Sequence, residues 1–326
     1  MKNLYRFCFV ILFFSSATCF AQTSATYSNL TKEGDSLYKT KEYLKAANAF
    51  GKAFAVNEDK GTINDRYNAA CSWALANQID SSFYHLFRLA RKAGYSNLKH
   101  LVADTDLNSL HDDARWKELY DLVKKNKDAE EVNLEKPLVA ILDTIYQEDQ
   151  KYRVESDEIE KKYGWDSPQM KDIMKIIIQK DSINRLKVMK ILDERGWLGA
   201  DVIGRQGNST LFLVIQHSDL EVQKKYLPMM REAVTKNKAS SSSLALLEDR
   251  VALRQGKKQI YCSQIGRKPN GGEYYVSPLE DPDNVDKRRA EVGLGTLESY
   301  VSYWNIKWDV EAYKKMLPEI EALEKK

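Results

Sequence analysis

Apolar and small residues recur at helical spacing along most of the chain, interrupted by short polar breaks. Between Leu30 and Val56, small residues at Gly34, Ala46 and Ala53 allow two antiparallel helices to approach closely, while Leu37, Tyr43 and Phe50 fill the space between them. About 34 residues further on the pattern returns, with Tyr67, Ala70 and Trp73 in one helix and Leu86, Leu89 and Ala93 in the next. Past the middle of the chain, Leu138, Ile141, Leu142 and Ile145 form a helical stripe. Ser167-Pro168 opens another helix, with Met170, Ile173, Met174, Ile177 and Ile178 on its apolar face. A glycine-containing turn is predicted from Gly196 to Asn208, then an apolar run Leu211–Ile215 and a capping box, Ser218-Asp-Leu-Glu221, before the next helix. Four serines at 240–243 introduce a helix from Leu244 to about Arg254. The period then changes: Gln259–Ile265 and Glu273–Ser277 are short and rich in aromatic and β-branched residues, and Asn270-Gly271-Gly272 lies between them. They read as a β-hairpin. Helices over Asp286–Tyr303 and Val310–Glu324 close the chain.

The first of these patterns resembles the tetratricopeptide repeat. Two copies depart from it at Glu58, where a helix-ending Pro is common, and at Ser82, which replaces an Ala. Gly94-Tyr95, Leu101, Asp104-Thr-Asp106-Leu107, Leu110 and Arg115-Trp116 resemble the segment that closes many bacterial arrays of this kind and covers their open apolar end. Asp104 and Asp106 do not make a calcium loop, because the further ligands, the Gly and the closing Glu at fixed spacing are missing. The stretch Lys124–Lys136 is charged, almost free of large apolar residues and followed by Pro137, which marks a boundary. The predicted organisation is a leader over 1–21, a tetratricopeptide-like unit with its cap over 22–125, a charged linker over 126–137 and a second domain over 138–326. The fold class is mainly α: a short α-hairpin solenoid followed by a mostly helical α+β domain with one hairpin.

The N-terminus changes the picture of compartment. Lys2 and Arg6 precede an apolar stretch from Phe7 to Phe14 and the small residues Ser15, Ser16 and Ala17, the pattern of a secretory signal peptide. Cleavage after Ala21 would start the mature chain at Gln22, in the periplasm or outside the cell; acylation at Cys19 is the alternative. The apolar stretch is shorter than the roughly 20 residues of a spanning helix, and no later segment reaches that length. No membrane span is therefore predicted after leader removal. Cys71 and Cys262 remain, read as two buried free thiols in different domains. Lys and Arg number 50 against 47 Asp and Glu, so no basic excess points to nucleic acid.

Chemistry is concentrated in the second half, in Asp149-Gln150-x-x-Arg153, Asp181-x-x-Asn184, Gln216-His217-Ser218-Asp219 with Gln223, Glu248-Asp249-Arg250, Gln259-x-Tyr261-x-x-Gln264 and Asp286-Lys-Arg288-Arg289. With Gly196-Trp197 and the Pro278-Leu-Glu-Asp-Pro282 turn, these motifs resemble, in matching order over residues 138–305, the family known as domain of unknown function 6624. The resemblance implies a fold relationship and no activity. It also implies a Gly where this chain has Cys262.

His217 is the domain's one histidine, placed just before a helix start, where an imidazole can act as general base and free N–H groups can hold a developing anion. Asp219 or Asp249 would orient it. Arg153, Arg250, Arg288 and Arg289 offer forked donors for a carboxylate or phosphate, and Gln150, Gln216, Gln223 and Gln264 can orient neutral polar groups. The competing account pairs Asp149 with Arg153 and the other acids with the remaining arginines as internal bridges. No zinc motif or phosphate loop is present; His85, His100 and His111 lack partners at ligand spacing, and Gly204-Arg-Gln-Gly207 lacks the Lys-Ser/Thr of a phosphate loop. Neither a metal nor a cofactor is predicted.

The leading expectation is an exported interaction protein whose repeat unit binds a protein or peptide, while the second domain binds a small polar or anionic ligand or a partner. A hydrolase with His217 as base is the rival. A purely structural second domain is the third possibility.

Overall fold

The side chain that Gly34 lacks is what lets the first two helices meet. In the computed structural model, which describes residues 15–269 and 272–324, α1 (Ser15–Lys39) packs on α2 (Tyr43–Val56) with the Phe50 ring so close that a Cβ on Gly34 would stand 2.9 Å from it. Residues 1–14 of the expected leader and the hairpin tip at 270–271 lie outside the described residues. Glu58, where the repeat family often has a helix-ending Pro, and Asp59 both adopt positive φ (54° and 56°), so the helix exit is a left-handed turn. A second helical hairpin follows, α3 (Ile63–Leu75) on α4 (Ile79–Lys92), in which the buried Ser82 hydroxyl donates to the Ala70 carbonyl.

The closing segment consists of α5 (Leu98–Ala103), a 3₁₀ turn (Thr105–Leu110) and α6 (Ala114–Glu131). Leu101, Leu107, Leu110, Leu119 and Val123 are all buried in one core with Leu86 and Leu89, so these elements cover the end of the hairpin pair. Asp104 caps the 3₁₀ turn, accepting from the Asp106 N–H at 3.0 Å. Asp106 in turn accepts from the Tyr38 hydroxyl. Most of the charged stretch is helical, belonging to α6, and the chain divides into two compact units, 1–132 and 133–326.

The second unit begins with two long helices, α7 (Lys136–Tyr163) and α8 (Pro168–Arg195), which run against each other; Ser167 caps α8 by accepting from the Met170 N–H. The expected turn over 196–208 is mostly helix. α9 (Ala200–Gln216) runs through it with one kink at Gly204, whose φ of 72° and ψ of 165° are open to glycine and strained for other residues. α10 (Leu220–Thr235) starts from Asp219 rather than Ser218: Asp219 accepts from the Val222 N–H, while Ser218 turns back to the Val214 carbonyl. α11 (Ser241–Arg254) starts from Ser240.

Leu142, Ile145, Val188, Leu192, Leu211, Ile215 and Tyr226 make the main core of α7 to α11. The hairpin is shorter than expected, β1 (Ile265–Arg267) antiparallel to β2 (Tyr274–Val276), because residues 259–264 form a loop braced by side chains. The helix expected over 286–303 is broken at Gly293 (φ 78°) into α12 (Val285–Glu291) and α13 (Leu297–Val301). α14 (Val310–Glu324) packs Tyr313 and Ile320 with Cys262, Val276 and Leu279 into a second, smaller core. Among the described residues the architecture is thus mainly helical with a single β-hairpin. Cys71 and Cys262 are both free and buried. No helix among the described residues is long and apolar enough to cross a membrane.

Candidate functional site

One turn of α7 supplies the centre of the site. Asp149 and Arg153 share a helix face, and Asp149 is 3% exposed. Opposite it, the α9–α10 turn presents His217, whose Nδ1 lies 3.0 Å from Asp149 Oδ1. Gln150 donates to the other oxygen of that carboxylate at 2.7 Å. Arg153 reaches Asp149 at 3.4 Å and Asp181 on α8 at 2.6 Å, tying the two long helices together. Burial by itself pushes the Asp149 carboxyl up; the hydrogen bond and charge of His217, with Arg153 and Gln150, outweigh it and hold the group below its ordinary value. An ionised Asp149 accepts a hydrogen bond from His217 Nδ1–H, and in the neutral form of the ring that bond leaves Nε2 as the lone-pair nitrogen. Nε2 has no hydrogen-bond partner among the described residues, and the His217 side chain is 21% exposed.

The turn that carries His217 is pinned from α11. Arg250 Nη1 donates to the Gln216 carbonyl at 2.8 Å, and Arg254, one helical turn later, donates to the Ser218 carbonyl at 2.7 Å. Gln223 adds a donor to the same Gln216 carbonyl. Arg250 Nε meets the Gln264 side-chain oxygen at 2.8 Å, which links the turn to the 259–264 loop. Burial, then the charges of Arg254 and Arg153, lower the Arg250 pKa to about 10, so it stays a cation at neutral pH.

Several side chains in this region are buried but not fully satisfied: both polar atoms of Asn184, which is fully buried one turn beyond Asp181, and the side-chain oxygens of Gln216 and Gln223.

A family model matches residues 137–312, more than half of the chain, and its description is a family of unknown function, DUF6624. The chain belongs to the DUF6624 family. Comparison with curated proteins and with solved structures finds no match to either.

Within the DUF6624 domain, the residues singled out by sequence divide into two sets. Gln150, Arg153, Gln216, His217, Gln223, Arg250 and Gln264 come together in the network around Asp149 and the α9–α10 turn. Asp249, Arg288 and Arg289 instead hold backbone. Asp249 is fully buried and accepts N–H groups of Ile260, Tyr261 and Ser263; burial raises its carboxyl, opposed by those donors. Arg288 donates to the carbonyls of Ile260, Glu280 and Asp281, and Arg289 to those of Tyr261, Cys262 and Gly295 while lying over the Tyr300 ring.

Neither acid first matched to His217 orients it. Asp219 is occupied by its cap and by Arg185 at 2.7 Å, and Asp249 by the loop. The orienting carboxylate is Asp149, which the sequence places in the right motif but pairs only with Arg153. Arg254 carries no motif of its own; its spacing of four from Arg250 is the signal that could have found it. In the first unit, Cys71, Asp104 and Asp106 offer ligand atoms within 4.8 Å of one another, but the capping role of Asp104 and the Tyr38 bond to Asp106 account for the carboxylates.

Proposed function

We propose that the DUF6624 domain binds a small polar ligand against the partly exposed edge of His217, with Arg153, Gln150, Arg250 and Gln264 around it. The observation that carries this reading is the convergence of α7, α9 and α11 on the Asp149–His217 pair and the turn that holds it, with His217 Nε2 left without a hydrogen-bond partner among the described residues. A thermal-shift screen of the full chain against polar metabolites tests it. At least one compound at roughly a hundred times its dissociation constant should stabilise the wild type by about 2.7 kcal/mol and leave His217→Ala unmoved. A screen in which no compound moves the wild type removes the reading.

Hydrolysis is the second reading, favoured by the 3.0 Å contact that makes Asp149 and His217 an oriented base. Ser218 Oγ is bonded to the Val214 carbonyl, so water rather than that hydroxyl would be the nucleophile. Ester and phosphoester substrates whose turnover falls about a hundredfold in both His217→Ala and Asp149→Asn would support it; equal turnover in wild type and variants would end it.

The first unit fits a tetratricopeptide-like scaffold that docks a protein or peptide, and the N-terminal pattern supports export. Sequencing the N-terminus of the protein recovered outside the cytoplasm should give Gln22; a chain that keeps Met1 contradicts cleavage.

A further inference from the structure

Arg250 is a cation without an acid. Its Nε and Nη1 donate to Gln264 Oε1 and the Gln216 carbonyl, both neutral, and no carboxylate forms an ion pair with it or with Arg254 among the described residues. The charges that lower its pKa are like charges, Arg254 and Arg153. Arg153 is matched by Asp149 and Asp181, yet its Nε is buried without a partner.

Arg250 is partly exposed, so its guanidinium keeps access to solvent and to a ligand, while the like charges near it make a counter-ion favourable. Internal bridges are what Arg153 makes and Arg250 does not. Asp149, the buried carboxylate of this network, is already shared by His217, Arg153 and Gln150. Arg250 also retains Nη2, which makes no hydrogen bond among the described residues. Arginine's planar fork suits an oxygen pair on a carboxylate or phosphate, and such charge-assisted bonds are roughly twice as strong as neutral ones.

We propose that the ligand of this site presents an oxyanion, a phosphoryl or carboxylate group, to Arg250, with Arg153 beside it and His217 Nε2 at its edge. This rests on the ligand-binding reading above and narrows it to a chemical class. The anion would supply the counter-charge that the chain itself does not.

Calorimetric titration of the full chain with phenyl phosphate, benzoate and benzyl alcohol separates the possibilities, because the three share a ring and differ in charge. The expected result is binding of phenyl phosphate or benzoate, weakening as salt is raised and at least about tenfold weaker in Arg250→Gln, with Arg250→Lys between the two. Which of the two anions binds tighter distinguishes phosphoryl from carboxylate. Should Arg250→Gln fail to fold, displacement of the bound anion from the wild type by inorganic phosphate or acetate, and its salt dependence, decide the same question.

Benzyl alcohol binding as tightly as the anions, or anion binding insensitive both to salt and to Arg250→Gln, overturns the proposal. If none of the three probes binds while the metabolite screen yields a neutral compound that depends on His217, the oxyanion is wrong and the ligand site stands. If the screen is also empty, both fall.

Discussion

Cys262 occupies a backbone conformation, φ 56°, that side chains with a Cβ rarely adopt, and it is fully buried. The family resemblance implies Gly at this position, and the left-handed backbone is the physical reason. Left-handed geometry costs a non-glycine residue about 1–2 kcal/mol, which the buried sulfur offsets by packing with Val276, Leu279 and Tyr313. Cys262→Gly should therefore change stability by no more than about 1 kcal/mol in urea unfolding, whereas Cys262→Val, β-branched at the same φ, should lose about 2 kcal/mol or more. Asp149 makes a prediction of a different kind. Its carboxyl is held below the ordinary value, so its contribution is present above the unfolded pKa of about 3.9 and disappears as pH falls through the lower, folded one. Asp149→Asn should be less stable than wild type at pH 7, with the gap between their melting temperatures closing as pH drops below about 4. A gap that stays constant would mean that the charge on Asp149 does not contribute.

Helix pairs depend on single small residues. Gly34 lets the Phe50 ring lie against the α1 backbone, and a methyl at that position must displace it. Gly34→Ala gains up to about 1 kcal/mol in helix propensity but overpacks the seam, at a cost of about 1–3 kcal/mol. The expected net effect is destabilisation, and Phe50→Leu in the same chain should reduce the cost of the added methyl; purely additive effects in a double-mutant cycle would refute the contact. Gly34, Leu37 and Phe50 could be read from their spacing, as could the starts of α8 at Ser167 and α11 at Ser240, because caps and periodicity are local. The course of α9 could not. Glycines at 199, 204 and 207 suggest a turn, yet from Ala200 onward the segment is helical apart from Gly204, since burial of Ile203, Leu211 and Ile215 against α7 and α8 outweighs the propensity cost. The 259–264 loop was hidden for a related reason: its residues favour strand, but Gln259 spends its side chain on Gln264 and Ser277, and Asp249 takes the N–H groups a neighbouring strand would have used.

At the scale of the whole molecule, each buried core lies within one unit: Tyr67 to Val123 and Phe50 to Ala69 in the first, the α7–α11 core, the Cys262 core and a small cluster of Met170, Ile173 and Ile177 in the second. Residues 133–326 should accordingly fold alone, with a helical circular-dichroism spectrum and one cooperative unfolding transition. A fragment that stays unfolded would show that its core is incomplete. The sequence by itself determined the helical class, the paired helices and their closing segment, the hairpin and the half of the chain in which polar chemistry gathers, because periodicity, caps and turn residues act over a few positions. Which carboxylate serves His217 was decided only by tertiary structure. Asp149 is 68 residues away along the chain, nearer acids were available, and only the packing of α7 against α9 places one oxygen 3.0 Å from the ring while α10 and the 259–264 loop occupy Asp219 and Asp249.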